Sequence, residues 1–197
     1  KSHTLVAKWS KTQAISASIK NSASKLYYVA GDTCSAEGMS IEVLYSDNTK
    51  KTVSYPNFTV AYPDMTTPGY KTVTVYYSDV SVSYTIEVRA LTISLSTVTN
   101  TASQGYVTFN AAVPAGTVSW SSSNTSVVGI NSSGKATFKN TVGTAVITAT
   151  VRNGSCTASA SKTITLSNNT GVKYGETISQ ITSSVFLYCS NIGYIIS

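Results

Sequence analysis

Polar and apolar residues alternate with a period of two along most of this chain, and the apolar spacing of an amphipathic helix is missing. Lys71–Tyr77 sets Val73, Val75 and Tyr77 on one face and Thr72, Thr74 and Tyr76 on the other. Ser81–Val88 is cleaner, with Val82, Tyr84, Ile86 and Val88 against Ser81, Ser83, Thr85 and Glu87. Successive side chains of a strand point to opposite faces, so both segments predict half-buried strands, joined by a hairpin at Ser78-Asp79. Met39–Ser46 places Ile41, Val43 and Tyr45 inward and leaves Leu44 exposed, before a turn at Ser46–Thr49.

The second half repeats the pattern. Thr117–Ser121 turns Val118 and Trp120 inward, with Trp120 on a middle strand. Val127–Ile130 leads through the turn Asn131–Gly134 to Lys135–Phe138. Gly143–Val151 is a long strand with Ala145, Ile147, Ala149 and Val151 on one face; a turn at Arg152–Ser155 and a strand at Ser161–Leu166 follow. About seven short strands per block, with turn signals every 8–12 residues, predict an all-β chain of two tandem immunoglobulin-like β-sandwiches. The blocks are residues 15–89 and 90–167, and the expected core includes Val43, Ile86, Trp120 and Ile147. The junction Glu87–Thr92 has no Gly, Pro or Ser run and reads as a short, stiff joint.

Composition narrows the chemistry. Ser and Thr make up nearly a third of the 197 residues, 11% are charged, and the single histidine is His3. So few acids and bases exclude most enzyme classes, and His3 has no place in a triad within either block. The net charge of +6 is uneven: about +3 in residues 1–14, −1 in 15–89, +4 in 90–167 and zero beyond. Residues 90–167 contain no carboxylate, which removes general acid–base catalysis and a strong Ca²⁺ site there. No cofactor is expected. The dispersed cations predict no nucleic-acid partner, and no apolar run approaches the length of a membrane span.

Cys34, Cys156 and Cys189 are odd in number and lack a C-x-x-C pair, against a zinc site. They read either as isolated, partly buried thiols or as a Cys156–Cys189 bridge beside Cys34. With no initiator Met or signal peptide, the chain reads as a piece of a longer protein. Residues 168–197 read as a tail: a strand added to a sheet edge, in this molecule or a neighbour, or the start of a further module. The chain is expected to be a monomer, with tail-mediated association as the route to anything larger.

Two runs of motifs resemble known families. Lys25–Asp32, Met39–Asp47, Lys51–Val53, Thr67–Gly69, Lys71–Tyr76 and Tyr84–Val88 occur in the order of the group 3 bacterial Ig-like domain. Val118–Asn124, Ser126–Val128, Ser133–Thr137 and Val142–Ala149 resemble the group 2 bacterial Ig-like domain. His3–Ser10 resembles the closing strand of an internalin-type B repeat, making residues 1–14 the remnant of a preceding repeat. These resemblances imply an extracellular, bacterial cell-surface or secreted module without catalysis. They imply a semi-rigid spacer that presents other modules or, alternatively, an adhesin for host glycan, matrix protein or cell-wall polymer. Nine of the thirteen tyrosines fall in residues 15–89, and Tyr76 is the candidate contact residue, with Tyr55, Tyr62 and Tyr70 next.

Overall fold

The computed structural model describes residues 11–101, 105–168, 187–189 and 192–196; the B-repeat resemblance at His3–Ser10 lies outside them. Every regular element among the described residues is a strand. The chain divides into two compact units, Lys1–Ala90 and Leu91–Ser197.

The first unit holds β1 (Ala14–Asn21), β2 (Tyr27–Val29), β3 (Ser40–Tyr45), β4 (Lys50–Ser54), β5 (Thr59–Ala61), β6 (Gly69–Tyr77) and β7 (Val80–Arg89). They form two sheets, β1-β3-β4 and β2-β7-β6-β5. All pairings are antiparallel except β2 with β7, which is parallel. Ile41, Val43, Val73, Val75, Ile86 and Val88 are buried, as the alternation places them. Leu44, expected in solvent, is half-buried. It stands in β3, the middle strand of its sheet, between Ser16 and Lys50, and these neighbours cover part of it. Tyr77 faces Val80 across the Ser78-Asp79 hairpin, where Ser78 has a φ of 51°. Positive φ at the first loop residue matches the right-handed twist of the flanking strands.

The second unit holds β8 (Ser94–Thr101), β9 (Tyr106–Ala112), β10 (Thr117–Ser122), β11 (Val128–Ile130), β12 (Lys135–Phe138), β13 (Gly143–Asn153) and β14 (Cys156–Asn168), with β15 (Leu187–Cys189) and β16 (Ile192–Ile196). The sheets run β11-β12-β9-β8 and β10-β13-β14-β16-β15. Ala145, Ile147, Ala149 and Val151 are fully buried on the inward face of β13; Ile164 of β14, opposite Ala145, and Leu166, opposite Gly143, are buried with them. Trp120 departs from expectation: β10 is an edge strand, and its ring is half-buried. The ring still packs on this core and stacks on Phe109 at 6.3 Å between centroids.

Ile192 of β16 stands opposite both Asn168 and Cys189. Cys156 lies at the far end of β14, twelve residues from Asn168 or roughly 40 Å along the strand. A disulfide needs Cα atoms within about 7 Å. This register is incompatible with a Cys156–Cys189 bridge.

Candidate functional site

The outward face of the β2-β7-β6-β5 sheet gathers the tyrosines. Its inward positions are buried, with Tyr28 on β2 and Ile86 and Val88 on β7, so the alternate positions face solvent. Tyr76 stands between Thr59 of β5 and Ser81 of β7 and is exposed. Six residues away on β6 and on the same face, Tyr70 is 79% exposed. Thr72 and Thr74 lie between them, opposite Thr85 and Ser83; the Thr74 and Ser83 hydroxyls are 3.0 Å apart.

Tyr27, Glu87 and Tyr70 form one row across three adjacent strands, because Glu87 is opposite Tyr27 of β2 and Tyr70 of β6. Tyr27 is 60% exposed. Arg89, two residues beyond Glu87 on the same face, donates through Nε to Glu87 Oε1 at 3.2 Å and through Nη2 to Oε2 at 3.4 Å. Its guanidinium carbon lies 5.1 Å from the Tyr27 ring centroid, a cation–π contact. Glu87, by its hydrogen bonds and charge, raises the Arg89 pKa further, and Tyr27 and Tyr70 act on it in the same direction.

Reading residue by residue points to Tyr76, with Tyr55, Tyr62 and Tyr70 next, and does not reach Tyr27, Glu87 and Arg89. The outward phase of Glu87 was legible in the alternation of β7, but its neighbours come from a non-local parallel pairing that no local pattern encodes. Tyr55 and Tyr62 are exposed too. Tyr55 packs at 6.0 Å on Phe58, and the Tyr62 hydroxyl accepts from Ala36 N–H at 3.2 Å. Both have local structural work. Val43, Ile86 and Ile147 are buried, and Trp120 is half-buried against its core.

A second polar group lies inside the first unit. Burial pushes the Cys34 thiol up, which keeps it protonated and a poor nucleophile. The Tyr28 hydroxyl accepts from Ser35 N–H at 3.2 Å. The Tyr84 hydroxyl is buried with no hydrogen-bond partner among the described residues, and burial pushes its pKa up to about 12, with Cys34, Tyr28 and Tyr62 adding to it. An unpaired buried hydroxyl forgoes its bonds to water, so Tyr84→Phe should leave stability unchanged or raise it by up to about 1 kcal/mol. The pH dependence has a definite sign. Below pH 10 the phenol is neutral whether folded or unfolded. Between pH 10 and about 12 only the unfolded chain releases the proton. Stability therefore falls across that window, by at most about 1.4 kcal/mol per pH unit from this group. Alkaline denaturation of wild type and Tyr84→Phe checks both statements: the variant should lose part of the alkaline slope.

Among the described residues no cluster of three or more His, Cys, Asp or Glu could hold a metal ion. No helix among them is long and apolar enough to cross a membrane.

Paired sheets closed over an apolar core define an all-β, immunoglobulin-like class of domain. Residues 22–88 match the bacterial Ig-like domain (group 3) family. No curated protein matches the chain. Among solved structures, the C-terminal 282-residue fragment of intimin, in complex with the translocated intimin receptor intimin-binding domain, is 22% identical with a TM-score of 0.34. That alignment covers 77% of this chain and 67% of the intimin chain. The S-layer protein rSbsC(31-844) and SbsC domains 1-6 are each 12% identical, with TM-scores of 0.28 and 0.30. Each alignment covers 95% of this chain but spans only 37% of the S-layer chain.

Proposed function

We propose that this chain is a non-catalytic structural module of a bacterial cell-surface or secreted protein, acting as a semi-rigid spacer that presents other modules. The observation that carries this reading is how the backbone threads each unit. In the first, Ala14 is opposite Tyr45, whose hydroxyl lies 3.4 Å from that of Tyr77 at the hairpin where β7 begins. The chain leaves at Arg89, nine residues or about 30 Å along β7. In the second, Ser94 is opposite Ala112, a four-residue loop from Thr117, which is aligned with Arg152 and Thr157. Asn168 lies eleven residues further, about 35 Å along β14. Each sandwich is thus entered at one end and left at the other, which suits modules strung in series. The four residues Ala90–Ile93 between β7 and β8 leave little slack.

The same proposal divides the chain into a remnant at 1–14, a group 3 domain at 15–89, a group 2 domain at 90–167 and a tail at 168–197. It places the chain outside the cell as a monomer. Small-angle scattering of the whole chain tests it. A single elongated particle is expected; a profile requiring two globules in free relative motion contradicts the semi-rigid spacer.

A second reading, direct adhesion, is favoured by one observation: Tyr27, Tyr70 and Tyr76 are exposed on the same sheet face. Aromatic side chains offer large contact area at low entropic cost.

A further inference from the structure

We propose that the Tyr27–Glu87–Tyr70 row, with Arg89, is a contact site for a neutral oligosaccharide; the inference rests on the adhesive reading and assigns it a place and a ligand class. Adjacent strands lie about 4.8 Å apart, so the Tyr27 and Tyr70 backbones are separated by about 10 Å across β7. Two largely exposed rings therefore flank one carboxylate–guanidinium pair. A pyranose ring has an apolar C–H face and a rim of hydroxyls. Tyr27 and Tyr70 supply aromatic surface for the faces of successive sugars. The Glu87 carboxylate accepts from hydroxyl groups, the Arg89 guanidinium donates to them, and the exposed Thr72 and Thr85 hydroxyls continue the polar rim.

Charge complementarity selects the ligand. Arg89 is matched by Glu87 at 3.2 Å, so the patch presents no net charge to an anionic polymer. A protein partner is less well matched. Stable protein interfaces bury about 800 Å² per partner around an apolar centre. Here Thr72, Thr74, Thr85 and Ser83 occupy the positions between the aromatic ends of the face.

The test is titration of the full chain with neutral hexasaccharides (cello-, chito-, malto- and mannohexaose), followed by amide chemical shifts at 0.15 and 1 M salt. The same chain is applied to a matrix-protein array and to an anionic cell-wall polymer. At least one hexasaccharide should bind, with affinity changed less than twofold by salt and shifts centred on β2, β7 and β6. Tyr27→Ala and Tyr70→Ala should each weaken binding tenfold or more, Tyr70→Phe less than threefold, and the control Val142→Ala, at an exposed residue of the second unit, less than twofold. Melting temperatures should stay within a few degrees. Equal loss in Val142→Ala, or shifts centred away from β2, β7 and β6, overturns the assigned site. Binding to a matrix protein through Tyr27 and Tyr70, with none to the hexasaccharides, overturns the ligand class but leaves the adhesive reading standing. Binding only to the anionic polymer, lost at 1 M salt, overturns the assigned site. No binding to any probe overturns both.

Discussion

Ile147→Ala should destabilise the second unit by about 2–5 kcal/mol, which for a domain of this size is a large part of its stability. Ile147 is fully buried on β13, aligned with Ser122 of β10 and Lys162 of β14, at the centre of the core built by Val107, Phe109, Ala145, Ile164 and Leu166. Truncation removes three carbons' worth of apolar burial and leaves a cavity that two hydrogen-bonded sheets cannot close without losing register. Thermal denaturation should show the transition of this unit lowered by about 8 °C or more, on the order of 4–8 °C per kcal/mol. Hydrogen exchange should locate the loss in β13 and β14. A change below 1 kcal/mol would mean that Ile147 is not in a close-packed core.

Gly134→Ala should cost a comparable amount, about 2–5 kcal/mol, by a different route. Gly134 closes the turn Asn131–Gly134 at a φ of 78°, in the left-handed region where a Cβ is strained. A Cβ there would also meet the Phe109 carbonyl oxygen at 2.5 Å and the Trp120 ring at 3.0 Å. That carbonyl belongs to a residue whose own N–H donates to Gly134 O at 2.9 Å, so the clash falls on the bond joining the turn to β9. Relief requires moving backbone, not a flexible side chain. Equilibrium unfolding in urea checks the magnitude. Loss of the Trp120 fluorescence shift before the global transition would report local opening of the turn.

Much of the fold was legible because local patterning and tertiary burial agree. The alternation of Val73 and Val75 against Ile86 and Val88 assigns the inward face of β6 and β7, and the two-residue Ser78-Asp79 connection sets their register. The long β13 face from Ala145 to Val151 reads in the same way. What the pattern left out is non-local. Alternation shows that Trp120 points inward but not that β10 is an edge strand, and edge position is what leaves its ring half-buried. Nor does it show that β2 lies parallel to β7, which brings Tyr27 beside Glu87 and Arg89 and assembles the candidate contact row. The unpaired Tyr84 hydroxyl was equally hidden, since a tyrosine on an inward face carries no sign of whether its oxygen finds a partner.

The spacer proposal requires two sandwiches that fold and unfold separately, each entered at one end and left at the other. Pulling the full chain from its two termini in a single-molecule force experiment tests this most directly. The expected record has two discrete unfolding steps, each lengthening the chain by about 20–25 nm, the extended length of residues 14–89 and of 94–168 less the folded span. A single step releasing both segments together, or a smooth extension with no step, would contradict it.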